Sequence, residues 1–106
     1  MKQMSPQDLA ARLKGGGEPP VLLDVREPWE FGICRIDGSR SLPMRQIPAA
    51  LGELERDRDL VVICHHGIRS QQVAVYLEYQ GFDKVINLQG GVAAWARDVD
   101  PGMPTY

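Results

Sequence analysis

The sequence predicts an α/β domain with a central parallel sheet and helices on both faces. Three observations predict it. Short, mostly apolar runs at 21–25, 60–64 and 84–88 read as buried strands, because their apolar residues are consecutive rather than alternating. Segments with helical spacing lie between them. Strand and helix together recur over about 30 residues, the length of a βαβ unit. No internal repeat, low-complexity segment or linker interrupts the order, so residues 1–106 are expected to form a single domain.

The elements follow in order. Ser5-Pro6-Gln7-Asp8 is a helix start, with Ser5 as cap, Pro6 at the first helical position and Asp8 reaching back. Leu9 and Leu13 share one face of that helix, and Gly15-Gly16-Gly17 stops it. "PPVLLDVRE" follows as a buried strand with polar residues at its carboxyl end. "EPWEF" predicts a short helix, "SRSLP" a short strand and "RQIPAALGEL" another helix. "LVVIC" is a strand, and "RSQQVAVYLEYQGF" a helix with Val73 and Leu77 on one face and Gly81 as its stop. "KVINL" is a further strand, "GGVAAWAR" a glycine-led helix and "DVDPGMPTY" a tail. Trp29 and Trp95 read as core or site-wall aromatics.

Composition excludes several classes of function. With 43% hydrophobic and 25% charged residues the chain has the profile of a globular domain. A net charge of -2 leaves no basic excess for counterion release, so no nucleic-acid partner is expected. No run of 18 apolar residues is present, so no membrane span is expected. The N-terminus lacks the apolar core of a signal peptide, which predicts a cytoplasmic protein and no structural disulfide. Cys34 and Cys64 are the two cysteines and form no CxxC pair, which leaves metal ligation, catalysis or inert burial.

The segment "CHHGIRS", residues 64–70, carries the chemistry. A free thiol has a pKa of about 8.5 and is a nucleophile only as the thiolate, so its surroundings must favour negative charge. Here the sulfur lies just before a helix N-terminus, where unpaired N–H groups and the helix dipole do so. Gly67 lets the chain curl so that successive N–H groups can form an anion-binding nest. Arg69 adds a fixed cation with a fork geometry. In parallel sheets ligands sit beyond the carboxyl ends of strands, so Asp24, Arg26 and Cys64 are expected to converge. His65 and His66 are adjacent and lack the usual two-to-four-residue ligand spacing, so no metal site is expected.

These residues resemble the single-domain rhodaneses, the thiosulfate sulfurtransferases. The likeness rests on "LLDVREPWEF", "CHHGIRS" and "INLQGGVAAW", in the family's order. It implies a rhodanese-like α/β fold and a ping-pong reaction without metal or organic cofactor. Cys64 would take the sulfane sulfur of a small anionic donor such as thiosulfate and pass it, as a persulfide, to cyanide, a thiol or a protein acceptor. The N–H groups of His65, His66, Gly67, Ile68, Arg69 and Ser70 would hold the persulfide, with Arg69 and a histidine attracting the donor. Asp24 and Arg26 would brace the loop. The family usually carries Gly-His-Ile where this chain reads Cys34-Arg35-Ile36, which leaves Cys34 as a second thiol, passive or a resolving partner. The tail "WARDVDPGMPTY" looks like the end of rhodanese modules fused to enzymes that activate ubiquitin-like sulfur carriers, which hints at a protein sulfur carrier as acceptor.

Two other readings stand beside this one. In the first, the fold is a binding or regulatory module and Cys64 is a core residue; the intact cysteine and glycine argue against it. In the second, the chain is a cysteine phosphatase or arsenate reductase. Those loops place five residues between Cys and Arg to surround a tetrahedral oxyanion, whereas four separate Cys64 from Arg69.

Overall fold

The computed structural model describes residues 1–106. In chain order, β1 is Lys2–Met4, α1 Pro6–Lys14, β2 Val21–Asp24, α2 Pro28–Ile33 and β3 Arg40–Ser41. β4 (Leu60–Ile63), α3 (Ile68–Tyr79), β5 (Val85–Leu88) and α4 (Gly91–Asp98) complete the order. The strands form one sheet in the order β1-β5-β4-β2-β3, with every pair parallel. This is the parallel α/β architecture that the alternation of runs predicts.

Side chains of successive strand residues point to opposite faces, and this sorts the core into two clusters. Leu23, Leu60, Val62 and Val85 pack with Val73, Ala74 and Leu77 of α3 on one face. Leu22, Val61, Ile63, Ile86 and Leu88 pack with Leu9 of α1 and Trp95 of α4 on the other. β2, β4 and β5 carry apolar side chains on both faces because both faces are covered.

At α1 Ser5 caps the helix and Pro6 opens it as the sequence predicts, the Asp8 N–H donating to Ser5 Oγ at 3.1 Å, whereas the Asp8 carboxylate makes no return bond to Ser5. Two elements differ. β1 is a strand that the sequence reading passes over, an edge element of three residues whose register Gln3↔Asn87 comes from β5. The helix expected over 45–54 is two 3₁₀ segments, Met44–Gln46 and Pro48–Glu53. Pro48 has no N–H to continue an α-helical ladder, and Gly52 weakens one. Trp29 is 63% exposed, at the wall of the site rather than in the core, whereas Trp95 is buried.

Candidate active site

The parallel sheet delivers the carboxyl ends of β2 and β4 side by side, with Asp24 in register with Ile63 and the Val25 N–H donating to the Ile63 carbonyl at 2.9 Å. Cys64 follows β4 directly and is buried. Its Sγ accepts a hydrogen bond from the Gly67 N–H at 3.0 Å and lies 3.3 Å from Ser70 Oγ. Gly67 makes this turn at φ +97°, in the left-handed region that favours glycine. Among the loop amides, it is the Gly67 N–H that bonds the sulfur.

The loop is held from behind by α4. The Val92 N–H donates to the Cys64 carbonyl at 2.9 Å and the Ala93 N–H to the His65 carbonyl at 3.0 Å. The helix start thus caps the two carbonyls, its own unpaired N–H groups being satisfied in the same contacts. Gly91 makes this approach possible. At φ +60°, a Cβ there would stand 2.3 Å from the Cys64 carbonyl oxygen and 2.5 Å from that of His65. Gly91→Ala is therefore expected to cost about 2–3 kcal/mol, read as a lower urea midpoint. An unchanged midpoint would mean that α4 does not hold the loop.

Arg69 pairs with Glu30 and makes no hydrogen bond to the sulfur. Its Nη1 and Nη2 donate to Glu30 Oε1 and Oε2 at 2.7 and 2.8 Å, a bidentate pair with a buried carboxylate. Glu30 also accepts from the Glu27 N–H at 3.0 Å and from the Tyr106 hydroxyl at 2.8 Å. The Arg69 hydrogen bonds, with the Glu27 and Tyr106 donors assisting, outweigh burial and hold the Glu30 carboxyl down at about 2. Glu30 sits at the third position of a helix opened by Pro28 and closes a capping box with Glu27, a short-range signal that the sequence reading did not use, whereas its partners Arg69 and Tyr106 lie 39 and 76 positions away.

Asp24 and Arg26 form a fully buried bidentate pair, with Nε to Oδ1 at 2.9 Å and Nη2 to Oδ2 at 2.7 Å. The remaining Arg26 donors go to the Cys34 carbonyl at 2.6 Å, the Tyr106 hydroxyl at 2.9 Å and, more weakly, Cys34 Sγ at 3.7 Å. The pair thus organises the 26–34 segment and makes no hydrogen bond to residues 64–70. It reaches the loop through Tyr106, Glu30 and Arg69.

Tyr106 is the second residue that the sequence reading missed. Its hydroxyl accepts from Arg26 while donating to Glu30, and its ring stacks on His65 at 4.2 Å with Trp29 edge-on at 5.6 Å. Burial is the main reason that its phenol is pushed up to about 12. His65 stacks in turn on His66 at 4.1 Å. Burial first, then the neighbouring His66, lowers the pKa of His65, so it favours the neutral ring. The two rings stack face to face and do not splay around a common ion.

Three hollows surround the loop. One of about 490 Å³ lies between Val25, Met44, Arg45 and Arg69. A second, about 200 Å³, lies under the tail and is lined by Cys34, His65, His66 and Tyr106. The third, about 720 Å³, runs along α3 past Gly67, Ile68 and Asn87. Cys34 packs in the cluster on the α1/α4 face and Cys64 in the one on the α3 face, so the two thiols lie on opposite sides of the sheet.

Residues 5–98 match the rhodanese-like domain family. The chain belongs to that family. A protein named sulfurtransferase from Allochromatium vinosum is 39% identical over 104 residues, covering 98% of this chain and 94% of the relative. The thiosulfate sulfurtransferase GlpE of Shewanella oneidensis is 43% identical over 74 residues, 70% of this chain and 73% of GlpE. The probable adenylyltransferase/sulfurtransferase MoeZ of Mycobacterium tuberculosis is 35% identical over 105 residues, yet this rhodanese-like chain spans 26% of its length. Among solved structures, a rhodanese-like domain protein from Staphylococcus aureus superposes with a TM-score of 0.86 at 30% identity, covering 100% of this chain and 99% of that one. No helix of this rhodanese-like domain is long and apolar enough to cross a membrane.

Proposed function

We propose that this rhodanese-like domain, residues 1–106 acting as one unit, is a sulfurtransferase that carries sulfane sulfur as a persulfide on Cys64. The observation that supports it best is the thiol at the carboxyl end of β4 with the Gly67 N–H on its sulfur. The site needs no metal or organic cofactor in this reading. The Cys64 thiolate attacks the outer sulfur of thiosulfate, or the sulfane sulfur of a persulfide donor. A new S–S bond forms, and the bond from that sulfur to the rest of the donor breaks: sulfite leaves thiosulfate with the electron pair, and a thiolate leaves a persulfide donor with it. In the second half, cyanide, a thiol or a protein sulfur carrier attacks the outer sulfur and Cys64 leaves as thiolate.

The Gly67 N–H favours negative charge on either sulfur form, and Arg69 with Arg45 borders the hollow through which an anionic donor approaches. Glu30 offsets most of the Arg69 charge, so Arg69 serves this reading chiefly as a strut for the loop. His65 and His66 border the same loop and supply ring N–H donors to the donor anion. A cytoplasmic location fits a reactive thiol, since that compartment keeps thiols reduced.

Intact-protein mass spectrometry after incubation with thiosulfate tests the reading. A gain of about 32 Da, one sulfur, is expected in the wild type, removable by cyanide and absent from Cys64→Ser. If neither thiosulfate nor a persulfide donor yields the adduct, the loop is not a sulfur-transfer site and the domain is a binding module instead.

A further inference from the structure

Behind Cys64 lies a chain of buried polar side chains that the reaction above does not use. Ser70 Oγ, 3.3 Å from Cys64 Sγ, is hydrogen-bonded to Asn87 Oδ1, and both side chains are buried. The Asn87 amide nitrogen donates to Gln3 Oε1 at 2.9 Å and to the Gly67 carbonyl at 3.4 Å. Asn87 is the one polar residue of β5, in a strand whose other three residues are apolar.

The direction of these bonds follows from donor counting. The Gly67 carbonyl can only accept, so the amide nitrogen of Asn87 must face it, and the amide oxygen must face Ser70. That oxygen can only accept, so the Ser70 hydroxyl donates to it. A hydroxyl has one proton. With that proton on Asn87, Ser70 can only accept from Cys64, which suits a protonated thiol. A thiolate or a persulfide anion would instead set two acceptors against each other, unless the Ser70 proton turns to the sulfur and leaves Asn87 Oδ1 without a donor.

We propose that Asn87 is a positioning residue that competes with the Cys64 sulfur for the single Ser70 hydroxyl proton. Resting on the reading that Cys64 is the nucleophile, this makes the β5 amide a brake on the charged forms of the sulfur. Asn87 holds the resting thiol in the neutral state. Each half-reaction that charges the sulfur draws the Ser70 proton across from Asn87, and each return to the thiol releases it.

The test compares the ultraviolet absorbance of the Cys64 thiolate at neutral pH, taken as the difference from Cys64→Ser, with the rate of Cys64 alkylation by iodoacetamide. Asn87→Ala removes the competing acceptor and is expected to raise both about three- to tenfold, the worth of one hydrogen bond. Asn87→Asp keeps the shape but only accepts, and is expected to lower both by a similar factor. In a Ser70→Ala background the Asn87→Ala shift should vanish, since the proton in dispute is gone, and the Asn87→Asp shift should shrink to the through-space effect of its charge.

Shifts in the same direction for the two Asn87 variants would overturn the proposal. So would an Asn87→Ala effect that survives Ser70→Ala, because the Ser70 proton would then play no part in it. Should Asn87→Ala not fold, the part of the Asn87→Asp effect that Ser70→Ala abolishes carries the test, and an Asn87→Asp effect that Ser70→Ala leaves unchanged would overturn the proposal. No sulfur donor enters these measurements, so a failure here is separate from a failure to form the persulfide.

Discussion

Asp24→Ala is expected to destabilise the domain by about 3–5 kcal/mol, because it leaves the Arg26 guanidinium buried without its counter-charge. Both side chains are 0% exposed, so water cannot take over the role of the carboxylate. A domain of this size has a total stability of roughly 5–15 kcal/mol, so the loss is a large share of the whole. Thermal unfolding should show a midpoint lower by roughly 15 °C or more. Asp24→Asn keeps an acceptor for the Arg26 Nε and should fall between. A loss under about 1 kcal/mol for Asp24→Ala would mean that this pair does not anchor the 26–34 segment.

The second large effect is expected at Glu30 and depends on pH. Its carboxyl is held at about 2 in the fold against an ordinary value of 4.5. A depressed acid stabilises the fold above its unfolded value and loses that contribution as pH falls through its folded value. At neutral pH the contribution is about 3 kcal/mol as an upper figure, Arg69 being about one-third exposed and partly screened. Glu30→Gln should therefore be less stable than the wild type at pH 7. The gap should close as pH falls from about 4.5 to about 2, followed by urea unfolding across that range. A gap that stays constant over the window would show that the Glu30 charge is not what holds Arg69.

The fold was legible where the physics is local. Consecutive apolar residues at 21–23 and 60–64 mark strands covered on both faces, and Ser5-Pro6 marks a helix start. β1 was not legible, since "KQM" carries no pattern of its own and becomes a strand by pairing with β5. The 3₁₀ segments were misread because the spacing of apolar residues through 44–54 suits a helix, while Pro48 decides which kind. At the site, Cys64, Gly67, Arg69 and Ser70 share one loop and announced themselves by their spacing. Glu30, Asn87 and Tyr106 were missed, because each acts on the site through a partner distant in sequence. Asn87 left a mark, an amide inside a buried strand, and so did Glu30, a glutamate at the third position of a proline-opened helix, while the expectation that Arg69 attracts the donor did not include its pair with Glu30.

The grip of α4 on the Cys64 and His65 carbonyls has a further consequence. A ping-pong site must serve two occupants in turn, a bare sulfur and a sulfur bearing another. A loop shaped by its contents would have to relax between them, and each half-reaction would carry that reorganisation in its barrier. Here the Val92 and Ala93 amides fix the outer side of the loop, whatever lies on the inner side. On the proposed persulfide reading, that side of the loop is thereby the same for both states.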